Sequence, residues 1–200
     1  MRVIAGERRG FHLKGPAGRF TRPMADKIRG ALFSMLASLG VEPERVLDLY
    51  AGTGGIGIEA LSRGAESADF VEQNAAAAAV VRANLAHTRY DDVSRVHQEA
   101  VTTFIARAER DPATRPYDLI FMDPPYADPD LVPVLERVGA SPLVESATVL
   151  AIGHSPRVEL PEHAGRLTRL RERCHGDSCF SIYEAAEPLA ATIMPGVGDA

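Results

Sequence analysis

From Arg45 onwards, short apolar runs alternate with segments of helical periodicity, and this alternation constrains the fold more than any other feature of the sequence. Strands are predicted at 46–50, 68–72, 94–97, 117–122 and 147–152, and helices at 58–63, 75–86, 100–108 and 130–138. Such alternation is typical of parallel strands joined by right-handed helical crossovers, with helices on both faces of one sheet. We therefore predict a three-layer α/β fold.

The first 40 residues follow a different pattern. Residues 3–14 predict two short strands about a polar, glycine-flanked turn. A loop follows, and apolar residues then recur at helical spacing between positions 28 and 36. We expect an N-terminal β-hairpin and helix, residues 1–40, ahead of the main domain, residues 41–186.

The end of the chain also departs from the alternation. Two strand-like runs, 166–173 and 179–185, are joined by the turn signal His175-Gly176-Asp177-Ser178, with no helix between them. They predict an antiparallel hairpin that completes a mostly parallel, seven-stranded sheet. Residues 187–200 are rich in Pro, Gly and Ala, and we expect them to form a flexible tail.

Charge is distributed unevenly along the chain. The formal net charge is −5, yet residues 1–30 hold eight basic side chains against two acidic ones. A basic end on an acidic body indicates a local surface for phosphate groups. The alternative is an ordinary solvated surface.

Composition excludes several classes of protein. No apolar stretch approaches the roughly 18 residues that span a bilayer, and residues 1–9 lack the apolar segment of a secretory signal. The two cysteines, Cys174 and Cys179, cannot form a disulfide framework, so we expect reduced thiols in a cytoplasmic protein. With His175 they make a weak zinc site without a fourth ligand nearby, and no metal is predicted.

A glycine-rich run follows the first predicted strand. Gly52, Gly54 and Gly57 satisfy the spacing G-x-G-x-x-G, and Glu72 ends the next strand 20 residues after Gly52. Glycines between a strand and a helix let the backbone approach a ligand, and the helix N-terminus offers unpaired N–H groups. A carboxylate at the position of Glu72 can accept both hydroxyls of a ribose. These features predict a site for NAD or for S-adenosylmethionine (SAM). The alternative is a tight structural turn that binds no ligand.

Two details favour SAM over NAD. Asp48 precedes the glycines, where a carboxylate would attract a cationic cofactor and repel a pyrophosphate. The antiparallel hairpin at the end of the chain is also unlike an all-parallel dinucleotide-binding sheet.

Asp123-Pro124-Pro125-Tyr126 directly follows the strand 117–122, at the sheet edge where open α/β sheets bind ligands. The prolines stiffen the backbone and hold Asp123 extended. The Asp123 carboxylate and the Pro124 carbonyl can then accept hydrogen bonds from a planar amino group, while Tyr126 offers a ring on which a base stacks. This arrangement suits methyl transfer to the exocyclic amine of a nucleobase by positioning and electrostatics.

The residues at 123–126 are similar to the (D/N/S)PP(Y/F/W) motif of amino-group methyltransferases, and 48–54 is similar to the SAM-binding motif of class I methyltransferases. From Met1 to about Ala185 the chain resembles the RsmD family of small-subunit rRNA guanine-N2 methyltransferases. The resemblance rests further on the segments MRVIAG at 1–6, Thr21-Arg22-Pro23, ALF at 31–33, GIEALSRGA at 57–65 and FVE at 70–72.

This resemblance implies a Rossmann-like class I enzyme that methylates the 2-amino group of one guanine in 16S rRNA and leaves S-adenosylhomocysteine. The substrate would be the 30S subunit or an assembly intermediate, with no obligate protein partner and no membrane. The SAM-binding residues would be Asp48, Gly52, Gly54, Glu72, Glu99 and Ala100. The base would be held by Asp123, Pro124 and Tyr126, and RNA phosphates by Arg8, Arg9, Arg22 and Arg29.

Two positions depart from the family pattern. Asn74 stands where a second acid often follows the ribose-binding acid, so Glu72 would act alone. Glu99 stands where an aspartate commonly meets the adenine amino group and is one methylene longer.

Three other functions stay open from the residues alone. A DNA adenine methyltransferase would use the same four residues around Asp123, a nicotinamide-dependent oxidoreductase would explain the glycines, and a non-enzymatic RNA-binding module would explain the basic end.

Overall fold

A computed structural model describes residues 1–15, 26–125 and 128–185. Thr21-Arg22-Pro23, Tyr126 and the expected tail at 187–200 lie outside these ranges. The helices are α1 (Asp26–Ser38), α2 (Gly55–Ser62), α3 (Ala75–Thr88), α4 (Val101–Arg110) and α5 (Leu131–Ala140), with a short 3-10 turn at Asp91–Val93. The strands are β1 (Arg45–Leu49), β2 (Ser67–Val71), β3 (Ser94–His97), β4 (Leu119–Met122), β5 (Val149–His154), β6 (His163–Ala164), β7 (Leu167–His175) and β8 (Ser178–Ala185).

The strands form one sheet in the order β3-β2-β1-β4-β5-β8-β7-β6. The first five pair in parallel, and β8 then pairs antiparallel with β5 and with β7. The sheet has eight strands among the described residues, where the sequence predicted seven. The additional strand is β6, which pairs with β7 through two residues and is too short to show a periodicity.

Two apolar clusters cover the two faces of the sheet, so the predicted three layers are confirmed. Val46 packs with α1, α2 and α3 on one face, whereas Leu47 and Leu49 pack with α4 and α5 on the other. The four residues of β4 are all buried. Successive side chains of a strand point to opposite faces, and a strand covered on both faces is therefore apolar throughout.

The predicted N-terminal hairpin forms a single antiparallel bridge, Arg2 with His12, instead of two strands. Several backbone N–H groups of this segment donate hydrogen bonds to helix α2, and a longer hairpin does not form. Ile4 N donates to Glu59 Oε2 at 2.7 Å, Ala5 N to Glu59 Oε1 at 3.0 Å, and Glu7 N to the Ser62 carbonyl at 2.7 Å. The segment is thus bound to α2 as well as across its own two arms, where Val3 N donates to the Phe11 carbonyl and Leu13 N to the Met1 carbonyl, both at 3.0 Å.

The N-terminal residues share the core of the main domain. Val3, Leu13, Leu32 and Phe33 belong to the same apolar cluster as Val46. Among the described residues, the N-terminal segment and the main domain therefore pack together around one shared apolar cluster.

The predicted hairpin at the end of the chain is confirmed, with Gly176 and Asp177 as its two-residue turn. Cys174 and Cys179 are directly opposite on β7 and β8 and form a disulfide, with their Cα atoms 4.0 Å apart. The expectation of reduced thiols is therefore wrong for this structure, because pairing about the turn brings the two side chains together.

Candidate active site

A cleft of about 920 Å³ opens at the carboxyl ends of β1, β2 and β4. Predicted site residues from four separate parts of the chain line it: Asp48, Gly52, Glu72, Ala100, Asp123 and Pro124. The parallel strands end at this edge, so the loops that follow them meet there. The cleft is the candidate active site.

A second hollow of about 510 Å³ lies at the opposite edge of the sheet, where Asp69 accepts hydrogen bonds from His97 and Tyr117. It contains none of the predicted site residues among those described. Because ligands of open α/β sheets bind at the carboxyl ends of the strands, this hollow is not the candidate site.

The β1–α2 loop and Glu72 fix one another. Gly52 has φ 57° and its N–H donates to Glu72 Oε2 at 2.8 Å, while Asn74 N donates to Glu72 Oε1 at 2.7 Å. Asn74 also caps α3, since its side chain accepts from Ala77 N at 3.0 Å. The Glu72 carboxylate is therefore oriented before any ligand arrives, which suits it to accept hydroxyl groups.

Gly54 shapes the turn before α2 and is not part of the wall of the cleft. It adopts φ 78° ahead of α2, and its N–H donates to the Ala51 carbonyl at 2.7 Å. A Cβ atom there would come within 3.1 Å of Val81. Gly54 does not line the cleft and would act on a cofactor only through the shape of the loop.

Asp48 is 1% exposed and accepts a hydrogen bond from Gly57 N at 3.0 Å. Burial raises the pKa of its carboxyl to about 7, and the charges of Asp123 and Glu72 act in the same direction against the Gly57 hydrogen bond. A cation bound in the cleft would stabilise the ionised form of Asp48. Glycine at position 57 allows this hydrogen bond. A side chain there would place its Cβ atom 2.4 Å from the Phe70 ring, which is too close.

Asp123 follows β4 and is half-buried beside Gly153 of β5, while Pro124 is buried at the wall of the cleft. Burial raises the pKa of the Asp123 carboxyl to about 6. The carboxylate is thus ionised at neutral pH and faces the cleft that also contains Gly52 and Glu72. Tyr126, predicted to stack on the base, is outside the described residues.

Ala100 lines the cleft but Glu99 does not. The Glu99 carboxylate instead accepts a hydrogen bond from Arg107 Nη2 at 2.7 Å. The structure therefore separates these two residues, which the resemblance placed together at the adenine.

The predicted phosphate-binding arginines differ in exposure. Arg9 is exposed, whereas Arg8 is partly covered and donates from Nε to the Thr88 carbonyl at 2.9 Å. Arg29 is only 1% exposed, so the prediction that it contacts RNA phosphates is wrong. Its guanidinium instead donates to the Arg2 carbonyl and to Asp26, and burial lowers its pKa. Arg22 lies outside the described residues.

Sequence reasoning missed several residues of the cleft. Tyr50 lines it with φ 63°, an unusual backbone conformation for a tyrosine, and burial raises the pKa of its hydroxyl to about 12. The tip of the β7–β8 hairpin also lines it, through His175 and Asp177. The observed topology accounts for the position of the tip, since β8 runs antiparallel to β5 and therefore begins at the edge of the sheet where β5 ends.

None of the described helices combines the length and the apolar composition that a bilayer-spanning segment needs.

The comparisons of this chain with known proteins point to the same family. Residues 1–184 match the family model "Conserved hypothetical protein 95". "Putative rRNA methyltransferase YlbH" of Bacillus subtilis is 36% identical over 92% of this chain and 98% of its own. "Ribosomal RNA small subunit methyltransferase D" of Escherichia coli K12 is 27% identical over 92% of this chain and 89% of its own.

A solved structure gives the same relationship. "Putative methyltransferase yhhF from Escherichia coli" aligns with a TM-score of 0.80 and 28% identity over 94% of this chain and 99% of that one. The predicted Rossmann-like methyltransferase fold and the predicted family are thereby confirmed. The matching family model, described as conserved hypothetical protein 95, is that of the RsmD family. The chain therefore belongs to the RsmD family.

Proposed function

We propose that this protein is a cytoplasmic, SAM-dependent methyltransferase that modifies the exocyclic 2-amino group of one guanine in 16S rRNA. The observation that carries the proposal is the single cleft shared by Asp48, Gly52 and Glu72 with Asp123 and Pro124. Cofactor-binding groups and amine-binding groups must lie in one cleft for direct transfer. The relatives named as rRNA methyltransferases support rRNA as the substrate class.

The residues of the cleft fit the chemical groups of SAM. Glu72 would accept the ribose hydroxyls, and the Gly52 backbone leaves room for close approach of the cofactor. Asp48 would be ionised by a nearby cation, and Ala100 would flank the adenine. Glu99 would contribute only if its ion pair with Arg107 opened. When bound, SAM supplies an electrophilic methyl group on a positively charged sulfur.

Asp123 and the Pro124 carbonyl would hold the guanine amine. Both are hydrogen-bond acceptors, and together they would take the two N–H groups and direct the nitrogen towards the methyl group. The amine nitrogen would take the methyl group that SAM supplies, the methyl–sulfur bond would break with its electron pair going to sulfur, and the proton lost by the nitrogen would pass to solvent water. Tyr126 would stack on the base. The products are the N2-methylguanine and S-adenosylhomocysteine.

The target guanine must leave its stack to reach the cleft, which favours a loop nucleotide over one in a duplex. Arg9, exposed on the N-terminal segment, would bind phosphates, with Arg8 and Arg22 as further contacts. A 30S subunit or an assembly intermediate would present such a loop.

Methylation with labelled SAM tests the proposal. The purified protein is incubated separately with unmethylated 30S subunits, naked 16S rRNA and duplex DNA, and the labelled nucleoside is identified by mass spectrometry. We expect N2-methylguanosine in 16S rRNA, from the 30S or the naked-RNA arm. Label in DNA adenine would favour the alternative, a DNA adenine methyltransferase, and label in no nucleic acid would refute the proposal.

A further inference from the structure

We propose that Arg29, together with the first turn of α2, binds the carboxylate of the methionine part of SAM. This inference rests on the proposed cofactor and gives Arg29 a role other than the RNA contact predicted from the sequence. It concerns the end of the cleft formed by Met1, Arg29 and Gly55.

The charge of the cleft points to Arg29. Six of its described lining residues are carboxylates: Asp48, Glu72, Asp123, Asp128, Asp130 and Asp177. Among those same described residues, Arg29 is the one arginine or lysine. SAM carries two cationic groups and one carboxylate, and a carboxylate among six acidic residues needs a nearby cation. Arg29 supplies the matching charge.

The guanidinium of Arg29 is buried, and its hydrogen bonds are incomplete. Its Nη2 donates to the Arg2 carbonyl and, at 3.1 Å, to Asp26. Its Nε is buried and has no hydrogen-bond partner among the described residues, since Glu59 Oε2 lies 3.8 Å away. A buried, charged donor without a partner is costly unless a ligand or a solvent molecule satisfies it.

Glu59 does not compensate the charge of Arg29 by itself. Its carboxylate already accepts from Ile4 N, Ala5 N and Arg63 Nε, the last at 2.8 Å. The positive charge of Arg63 therefore stands beside Glu59 at a shorter distance than that of Arg29. Asp26 pairs with Arg29 at 3.1 Å but also lies 3.7 Å from Arg2 Nε. Two carboxylates thus serve three guanidinium groups, and one positive charge is left for a ligand.

The start of α2 lies beside the guanidinium. The Nη1 atom of Arg29 is 3.4 Å from the position that a Cβ atom on Gly55 would occupy, and the Met1 Sδ atom is 2.8 Å from it, so the Met1 side chain borders the same volume. Gly55 and Ile56 both line the cleft. The first N–H groups of a helix have no partner within the helix, and its dipole favours an anion there. Asp48 accepts only the N–H of Gly57. Arg29 and α2 thus present donors to the same small volume.

Ligand truncation combined with mutation tests the assignment without any RNA. Binding of SAM and of 5′-methylthioadenosine, which lacks the amino-acid part, is measured by calorimetry for wild type, Arg29→Met and Arg63→Met. We expect Arg29→Met to bind SAM about 10- to 100-fold more weakly and methylthioadenosine within about threefold of wild type. Arg63→Met is the matched control, since it removes the other cation beside Glu59 and does not line the cleft. Arg63→Met should leave the affinities for SAM and for methylthioadenosine at their wild-type values.

The outcomes are distinct. Equal weakening of both ligands by Arg29→Met, or unchanged SAM affinity, would overturn the assignment. If wild type binds neither SAM nor methylthioadenosine, the proposed cofactor itself is wrong. Should Arg29→Met fail to fold, Arg29→Lys replaces it, with a smaller but still SAM-selective loss expected. In wild type, decarboxylated SAM should bind at least about tenfold more weakly than SAM, and equal affinity would also refute the proposal.

Discussion

The Oδ1 atom of Asp123 lies 2.6 Å from the position that a Cβ atom on Gly153 would occupy. Gly153 belongs to β5, the neighbour of β4, and its missing side chain makes room for the carboxylate that follows β4. The position of the proposed amine-binding group therefore depends on a glycine outside every motif in the sequence.

Gly153→Ala should displace Asp123 while leaving the cofactor-binding loop intact. We expect the methyl-transfer rate to fall by about tenfold or more, because a 1 Å misplacement of a positioning group is sufficient for such a loss. SAM affinity should stay within about threefold. Single-turnover rates and calorimetry separate the two effects, and Ala151→Gly on the same strand serves as the control for general loosening of β5. A normal rate in Gly153→Ala would contradict this dependence.

The rate of transfer at saturating SAM should decline as the pH is lowered through about 6. The pKa of Asp123 is raised to about 6, so its carboxyl is protonated below this pH and becomes a weaker acceptor for the amine. Asp123→Asn keeps an acceptor oxygen that does not titrate, so it should retain partial turnover and lose this pH step. Asp123→Ala should lose turnover and keep SAM affinity within a few-fold. An identical pH profile for wild type and Asp123→Asn would exclude Asp123 as the titrating group.

The free energy of unfolding without ligand should decrease as the pH rises from about 4 to 7. The pKa of Asp48 is raised from 3.8 in the unfolded chain to about 7 in the folded one, so in this window the folded state holds a proton that the unfolded state has released. One such group lowers the free energy of unfolding by at most about 1.4 kcal/mol per pH unit. Urea unfolding at pH 5, 6 and 7 measures the slope. In Asp48→Asn the slope should shrink to the part due to Asp123, and an unchanged slope would contradict the assignment.

Arg9→Ala should weaken binding of 16S rRNA and reduce the salt dependence of that binding by about one unit, as expected for one lost phosphate contact. Arg110→Ala is the matched control. Arg110 is exposed at the far end of α4, whose first residue, Val101, lines the cleft, and the same charge is removed at a site that we expect RNA not to touch. Filter binding from 50 to 300 mM salt gives both slopes. Equal slopes for the two variants would argue against an RNA contact at Arg9.

Reduction of the disulfide should lower the free energy of unfolding by at most about 2 kcal/mol, the entropy expected for a loop this short. Urea unfolding with and without a reductant measures the difference, and Cys174→Ser should match the reduced protein. If the reductant also destabilises Cys174→Ser, the effect does not arise from this bond.

The sequence alone predicted the order of strands and helices and the edge of the sheet where the site lies. The alternation from 45 to 152 is a strong signal, and the motifs at 48–54 and 123–126 follow strands directly. In parallel strands, residues that follow carboxyl ends must converge. The juxtaposition of Asp48, Glu72 and Asp123 was predictable for this reason.

The errors concern residues whose surroundings depend on distant parts of the chain. Arg29 belongs to a basic stretch and was assigned to phosphates, but its environment is set by Asp26 and by Glu59, 30 positions away. Cys174 and Cys179 were assigned as separate thiols although they are equally distant from the Gly176-Asp177 turn. That symmetry was a usable signal. The burial of Arg29 had one as well, since Leu32, Phe33 and Leu36 follow it at the spacing of one helix face.

Glu59 is fully buried, and two of its partners are backbone N–H groups near the start of the chain, at Ile4 and Ala5. Trimming those residues would remove two donors from the Glu59 carboxylate and take Val3 out of the apolar cluster, and each loss is destabilising. The amino end is therefore a poor place to shorten this protein when a smaller catalyst is wanted. Truncation from that side would lower the yield of folded material before it altered the choice of substrate.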